Sequence, residues 1–165
     1  MFGRLCLALL LAMAPLSAAE PIRVLVFTTT DCPISNRYAP EIQRLAAKFS
    51  KDVKFVFVYP VPTDSPEMIR DHAKKFAGGV DTLRDIHQTL VRLTRVTVTP
   101  EVAVMRGEEI LYRGRIDDRY LELGRERLKP TTHDLEDALN AVIVGKPVAQ
   151  RETRAVGCIL ADLVK

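Results

Sequence analysis

The sequence predicts an α/β fold in which helices cover a mixed β-sheet, and three observations lead to this prediction. Short apolar runs rich in Val and Phe, typical of strands buried on both faces, alternate with segments whose apolar residues recur at helical spacing. The opening strand–helix–strand unit requires two parallel strands joined by a right-handed crossover. Two later strands follow one another across the turn RGEE and therefore form an antiparallel hairpin.

The predicted elements follow the order β-α-β-α-α-β-β-α, with the first strand near the centre of the sheet. The second of the helices carries signals at both ends, because Ser65 and Pro66 suit a helix start and Gly78-Gly79 suit a helix end. Strands are predicted at 22–27 and 53–61 and in the segments VTPEVAVM and ILYRGRI, and helices at 36–49, 65–79, 81–96 and 130–147, the last capped by a threonine.

Composition indicates one ordinary globular domain, since 47% of the 165 residues are hydrophobic and 27% are charged. The net charge of +3, without any block of like charges, gives no support for a nucleic-acid partner. We predict three segments: a signal peptide at 1–19, a main domain at 20–147 and a C-terminal tail at 148–165.

The first nineteen residues are typical of a secretory signal peptide. A positive start is followed by the apolar stretch LCLALLLAMAPL, which is too short to span a membrane, and then by the small residues Ser17, Ala18 and Ala19. We therefore expect an exported protein, periplasmic or secreted, that begins near Glu20 and has no membrane attachment after cleavage. An uncleaved anchor is the alternative interpretation.

Two cysteines, Cys32 and Cys158, remain after that cleavage. In an oxidising compartment such a pair tends to form a disulfide unless something reduces it. Cys32 lies where a buried strand gives way to a helix N-terminus, and unpaired N–H groups and the helix dipole favour a thiolate there. The alternative is that Cys32 is a small, inert core residue. We predict a lowered pKa for Cys32, partly opposed by the neighbouring carboxylate of Asp31.

Pro100 opens the segment EVAVM, which otherwise has the pattern of a central strand. A proline is tolerated at the first residue of a strand, and a cis bond at that position would be a specific feature of the fold. Because most X-Pro bonds are trans, the residue alone indicates only where a strand begins.

These motifs together resemble the thioredoxin fold, and within it the redoxin branch that contains alkyl hydroperoxide reductase and the thiol-specific antioxidants. The resemblance is carried by DCPISNRYAPEI, VTPEVAVM and LYRGRIDDRY and extends over the whole mature chain. It implies that Cys32 is the attacking cysteine and that a cis Thr99–Pro100 bond lies beside it. It also implies that Thr29, three residues before Cys32, positions a peroxide.

The sequence departs from these families at two positions near Cys32. Ser35 stands where a thioredoxin has its second cysteine, so a local dithiol is impossible, and Leu25 stands where a peroxiredoxin has a proline. The peroxide-binding arginine of peroxiredoxins has only Arg115 and Arg119 as candidates. Cys158 is the remaining partner for Cys32, either as a resolving cysteine or in a permanent disulfide.

We therefore expect an exported thiol-dependent oxidoreductase, redoxin-like or peroxiredoxin-like, with Cys32 as nucleophile and Cys158 as a possible resolving cysteine. It would need no bound cofactor and no metal, only a thiol reductant and a disulfide or peroxide substrate. Two alternatives stay open: a copper-handling protein that uses Cys32, Cys158 and His133, and a non-catalytic module with a structural disulfide. The adjacent Asp117 and Asp118 are interpreted as a turn rather than as an acid–base pair.

Overall fold

A computed structural model describes residues 20–160, so the predicted signal peptide and the last five residues lie outside the described part. The strands are β1 Ile22–Phe27, β2 Val53–Tyr59, β3 Asp81–Arg84, β4 Val98–Thr99, β5 Glu101–Arg106, β6 Glu109–Gly114, β7 Tyr120–Glu122, β8 Arg125–Glu126 and β9 Cys158–Ile159. The helices are α1 Pro33–Lys48, α2 Pro66–Phe76, α3 Thr89–Thr94 and α4 Asp134–Ile143. Within this range no helix has the length and apolar character needed to cross a membrane.

The central sheet has the strand order β3-β2-β1-β5-β6, which places β1 in the middle as predicted. β1 runs parallel to β2 and antiparallel to β5, with Phe27 paired to Val58 on one side and to Glu101 on the other. The end of β1 therefore lies beside the start of β5, which brings Pro100 to the same edge of the sheet as the segment that follows β1.

Both faces of the sheet are covered, as the continuous apolar runs require. Val24 and Val26 point to the face packed by α1 and α4, whereas Leu25 and Phe27 point to the face packed by α3 and by Leu160 of the tail. Successive residues of a strand point to opposite faces, so each residue of β1 belongs to one core or the other. The prediction of a mixed α/β sheet between helices is confirmed.

The prediction of a helix at 81–96 is wrong for the first half of that segment. Residues Asp81–Arg84 instead form edge strand β3, parallel to β2, and only Thr89–Thr94 are helical. The buried carboxylate of Asp85 accepts hydrogen bonds from the backbone N–H groups of the first residues of α3. This cap fixes the start of the helix at 89, and the helical spacing of Leu83 and Ile86 before it does not correspond to a helix.

The structure differs from the prediction at three further places, namely α4, an additional hairpin and the start of α1. The last helix begins after His133, not after a threonine cap, and its N-cap side chain makes no capping hydrogen bond. A short hairpin of β7 and β8 follows the Asp117–Asp118 turn and is absent from the predicted elements. α1 begins at Pro33, three residues before the predicted start at 36, so its first turn directly follows Cys32.

The tail is attached to the sheet edge before it reaches the candidate site. The backbone N–H of Arg113 donates to the carbonyl of Arg151, and the N–H of Thr153 donates to the carbonyl of Arg113. Gly114, at the end of β6, has a φ of +147°, and a Cβ there would lie 2.2 Å from Thr153 Oγ1. The tail thus crosses β6 at a position that only glycine leaves open.

Buried His72 links α2 to its neighbours through both ring nitrogens. Nδ1 lies 2.8 Å from the Tyr59 hydroxyl, and Nε2 lies 2.7 Å from Asn36 Oδ1. Since an amide oxygen only accepts, Nε2–H donates to it and Nδ1 accepts from the Tyr59 O–H, which is the neutral form of the ring. Burial lowers the pKa of His72.

This arrangement predicts that the fold loses stability in mild acid. Because the folded-state pKa of His72 lies below its unfolded value of about 6.5, the unfolded state binds the proton first, and stability falls as the pH drops below about 6.5. Urea unfolding between pH 5 and 8 should show a difference in unfolding free energy between the wild type and His72→Gln that shrinks with falling pH. Replacement of exposed His87 by Gln serves as the control. A difference that stays constant over this range would contradict the assignment.

Candidate redox site

Cys32 is the N-cap residue of α1, and the loop after β1 delivers it there. Its backbone is extended, with φ −78° and ψ 109°, and its carbonyl accepts from the N–H of Asn36 in the first helical bond. Pro33 occupies the first helical position, where the missing N–H costs nothing. The Cys32 sulfur lies at the helix N-terminus, beside the backbone N–H and the hydroxyl of Ser35 in the first turn.

The bond between Thr99 and Pro100 is cis, as the resemblance implied. It joins β4 to β5, and the carbonyl oxygen of Thr99 lies 3.1 Å from Cys32 Sγ. The prediction of a cis Thr99–Pro100 bond beside the Cys32 sulfur is therefore confirmed by the geometry.

The tail brings Cys158 to the same place by adding a short strand to β4. β9 pairs antiparallel with β4, with Cys158 opposite Thr99 and Ile159 opposite Val98. The backbone N–H of Leu160 also donates to the carbonyl of Thr97. The sulfurs of Cys32 and Cys158 consequently lie 2.6 Å apart as free thiols, the two cysteines being 126 positions apart in the chain.

Gly157 permits this close pairing. A Cβ atom at this residue would lie 2.2 Å from the carbonyl oxygen and 2.6 Å from the carbonyl carbon of Thr99. Backbone atoms cannot move aside as a flexible side chain can, so any other residue would push β9 away from β4. Gly157 therefore allows a close backbone approach, and the element approached is the cis-proline segment.

The two thiols differ in acidity. Burial acts to raise the pKa of Cys32, but hydrogen bonds from Cys158 and from the Ser35 side chain and backbone outweigh it, and the pKa is lowered. Burial, together with the hydrogen bond and charge of Cys32 and the charge of Asp31, raises the pKa of Cys158 to about 12. Cys32 is therefore the more acidic of the two thiols.

Ser35, which replaces the second cysteine of a thioredoxin, contributes to this difference. Its hydroxyl is buried and has no geometrically complete hydrogen bond to any residue within 20–160. A buried hydroxyl without a settled partner is free to turn its O–H toward the adjacent Cys32 sulfur, and the charged form of that sulfur is the better acceptor.

Asp31 acts on the pKa of Cys158. We expected its carboxylate to raise the pKa of Cys32, its neighbour in sequence, but it raises that of Cys158. The hydroxyl of Thr29 donates to Asp31 Oδ1 at 2.9 Å, and both residues line a cavity of about 250 Å³ together with Cys158. The sequence could not reveal this cavity, because it depends on where the tail returns.

The charged residues proposed from the sequence are engaged in structural contacts. Arg115 forms a two-pronged ion pair with Asp134, and Asp118 accepts from the backbone of Thr131 and Thr132. Asp117 accepts from the hydroxyl of buried Tyr38 and from the backbone N–H of Arg119. The interpretation of the two aspartates as a turn agrees with these contacts, although the partner of Arg115 is Asp134 rather than either of them.

The copper-site alternative required His133 beside the two cysteines. Within the described part of the chain the one cluster of ligating side chains comprises His133, Glu41 and Glu136. Arg44 and Lys48 already form ion pairs with the carboxylate of Glu136, and Arg44 also pairs with Glu41. This cluster is an ion-pair network that links α1 to α4, and it is separate from the two thiols.

Comparison with solved structures assigns a thioredoxin-like fold to the chain. An uncharacterised conserved protein from Geobacillus kaustophilus is similar, with 26% identity, a TM-score of 0.73 and coverage of 86% of this chain and 77% of that one. A hypothetical protein from Sinorhizobium meliloti 1021 has 22% identity, a TM-score of 0.72 and coverage of 86% and 80%. A thioredoxin-like protein in its oxidised form has 15% identity, a TM-score of 0.56 and coverage of 77% and 80%. No protein-family model and no curated protein matches the sequence.

The role of Gly157 can be tested by substitution. We expect Gly157→Ala to displace β9 from Thr99 and to slow formation of the Cys32–Cys158 disulfide by about tenfold or more, since misplacement by an ångström costs about a hundredfold in reactions that depend on orientation. The measurement is the rate of thiol loss after addition of a mild oxidant. Ile159→Ala, which changes an exposed side chain of the same strand, should leave that rate close to the wild-type value. Equal rates for Gly157→Ala and the wild type would show that the close approach does not matter.

Proposed function

We propose that this protein is a thiol-disulfide oxidoreductase that cycles between a Cys32/Cys158 dithiol and a Cys32–Cys158 disulfide. The observation that carries the proposal is the placement of two free sulfurs 2.6 Å apart, with the pKa of one lowered and that of the other raised. Pairs of titratable groups whose pKa values are driven apart by their environment are characteristic of sites that perform chemistry.

The oxidising half of the cycle begins at Cys32. Its thiolate attacks one sulfur of a substrate disulfide, the substrate S–S bond breaks, and the other substrate sulfur leaves as a thiolate that takes a proton. Cys158 then loses its proton and attacks Cys32 Sγ, which releases the second substrate thiol and leaves the internal disulfide. Because Cys32 is only 2% exposed, the substrate reaches its sulfur when the two-residue strand β9 shifts aside.

The reducing half begins at Cys158. Cys158 lines the cavity described above, whereas Cys32 is buried. A thiolate from a reductant attacks Cys158 Sγ, the internal S–S bond breaks, and Cys32 leaves as a thiolate. The thiol of lower pKa is the better leaving group, so the lowered pKa of Cys32 favours this direction of attack. A second reductant thiolate then releases Cys158 and carries away the reductant disulfide.

A disulfide is the favoured oxidant, and a peroxide is the second candidate. Thr29 donates its hydroxyl to Asp31, and Arg115 is paired with Asp134, so neither group is held ready for a peroxide. With a peroxide, Cys32 would become a sulfenic acid, water or an alcohol would leave, and Cys158 would then form the disulfide with loss of water.

We place this chemistry outside the cytoplasm, in the periplasm or the medium. The support is the predicted signal peptide at 1–19, which includes the third cysteine of the chain, Cys6. An exported pair of thiols works in a compartment where disulfides persist, so continuous turnover needs a dedicated supply of reducing thiols.

Two cysteine variants test the cycle. Cys32→Ser should lose turnover by about a thousandfold or more, since it removes the nucleophile. Cys158→Ser should still react once, and should accumulate a mixed disulfide on Cys32 when it is given a model disulfide. Mass spectrometry after an acid quench identifies the adduct, and a sulfenic acid after peroxide treatment would assign the oxidant instead. A Cys158→Ser variant that turns over like the wild type would refute the two-cysteine cycle.

A further inference from the structure

The cavity beside Cys158 has an uneven distribution of charge. Its volume is about 250 Å³, and it is lined by the sulfur-bearing residue Cys158, by Thr29, Gln88 and Asp31, and by apolar side chains of β9 and the loop after β2. Of the described residues that line it, Asp31 alone carries a formal charge. Any thiol that reaches Cys158 through this opening therefore passes a carboxylate.

The carboxylate of Asp31 is held in place and acts on the sulfur. The Thr29 hydroxyl donates to Oδ1 at 2.9 Å, which orients an otherwise exposed side chain. The negative charge of Asp31 contributes to the raised pKa of Cys158, so its field reaches the atom that a reductant attacks. The neighbouring cation Arg84 donates to the carbonyls of Pro62 and Asp64 and does not form an ion pair with Asp31 among the described contacts.

We infer that Asp31 determines which thiols reduce this protein, favouring neutral and cationic thiols over anionic ones. This inference rests on the proposed function and adds the charge class of the reductant. The reacting species is a thiolate, so every reductant brings one negative charge toward Asp31. A reductant with further carboxylates adds to that repulsion, whereas an ammonium group near the sulfur cancels it.

The chemistry of this step is a thiol-disulfide exchange. The reductant thiolate forms a bond to Cys158 Sγ, the Cys158–Cys32 bond breaks, and the electron pair leaves on Cys32. A second reductant thiolate completes the reduction and leaves as half of the reductant disulfide. Asp31 takes no proton and forms no bond in either exchange, and acts only through its charge, as a specificity-determining residue.

The experiment uses the full mature chain, first oxidised to the Cys32–Cys158 disulfide and checked by mass. Reduction by cysteamine (cationic), 2-mercaptoethanol (neutral) and glutathione (anionic) is followed by acid quench, alkylation and mass spectrometry. These measurements are repeated with Asp31→Asn and with Asp52→Asn. Asp52→Asn removes the same charge from an exposed residue just before β2, at the end of the sheet opposite the site.

We expect the ratio of the cysteamine rate to the glutathione rate to fall by about three- to tenfold in Asp31→Asn at low ionic strength, and by much less in about 1 M salt. Asp52→Asn should keep the wild-type ratio. In Asp31→Asn the cysteamine rate should change least, because the ammonium of cysteamine offsets the charge of its thiolate, and the 2-mercaptoethanol rate should rise by less than the glutathione rate. An unchanged ratio in Asp31→Asn, or an equal fall in Asp52→Asn, would overturn the inference and leave the proposed cycle intact. Failure of the wild type to form the Cys32–Cys158 disulfide would overturn the proposed function and this inference together.

Discussion

Backbone pairing between β9 and β4 controls the arrangement of the candidate site. β4 ends at the cis Thr99–Pro100 bond, and its register with β9 sets Cys158 opposite Thr99, whose carbonyl already contacts Cys32. One antiparallel pair of residues thus fixes the relation between two sulfurs that come from distant parts of the chain. Two glycines make the approach possible: Gly114 where the tail crosses β6, and Gly157 where it meets β4.

The electrostatic difference between the two thiols follows from where this pairing places them. Cys32 lies at the start of α1, with Ser35 and the Cys158 thiol available to donate to its sulfur. Cys158 lies on an edge segment without comparable donors and beside the carboxylate of Asp31. The same two sulfurs in the opposite positions would have the opposite order of acidity, so the fold, rather than the residue type, decides which thiol is the more acidic.

The sequence predicted the elements whose signals are local. Continuous apolar runs identified β1 and β2, Ser65 and Pro66 marked α2, and the strand-to-helix transition marked the setting of Cys32. The prediction for 81–96 failed for two reasons. The edge strand β3 has four exposed residues and therefore no apolar alternation, and the apolar residues of the whole segment recur at helical spacing.

The candidate site was predictable in part. The strand-to-helix transition indicated Cys32, the resemblance supplied the cis proline beside it, and elimination suggested Cys158 as the partner. The register of the tail depends on the pairing of Thr99 with Cys158, and the cavity at Cys158 and the action of Asp31 on that residue depend on segments still farther apart in the chain. No periodicity or spacing in a single sequence encodes such contacts, since they arise from tertiary packing of the whole sheet.

Placement of the second sulfur on an appended strand separates two properties that a C-x-x-C motif keeps coupled. When both cysteines share one helical turn, a change between them alters the acidity of the nucleophile and the stability of the disulfide at once. Here Ser35 at the start of α1 acts on the acidity of Cys32, the pairing of β9 with β4 acts on how readily the disulfide closes, and the Cys158 thiol acts on both. Substitutions in residues 151–157 would therefore alter how Cys158 meets Cys32 over evolutionary time, while Cys32 and its helix remain unchanged.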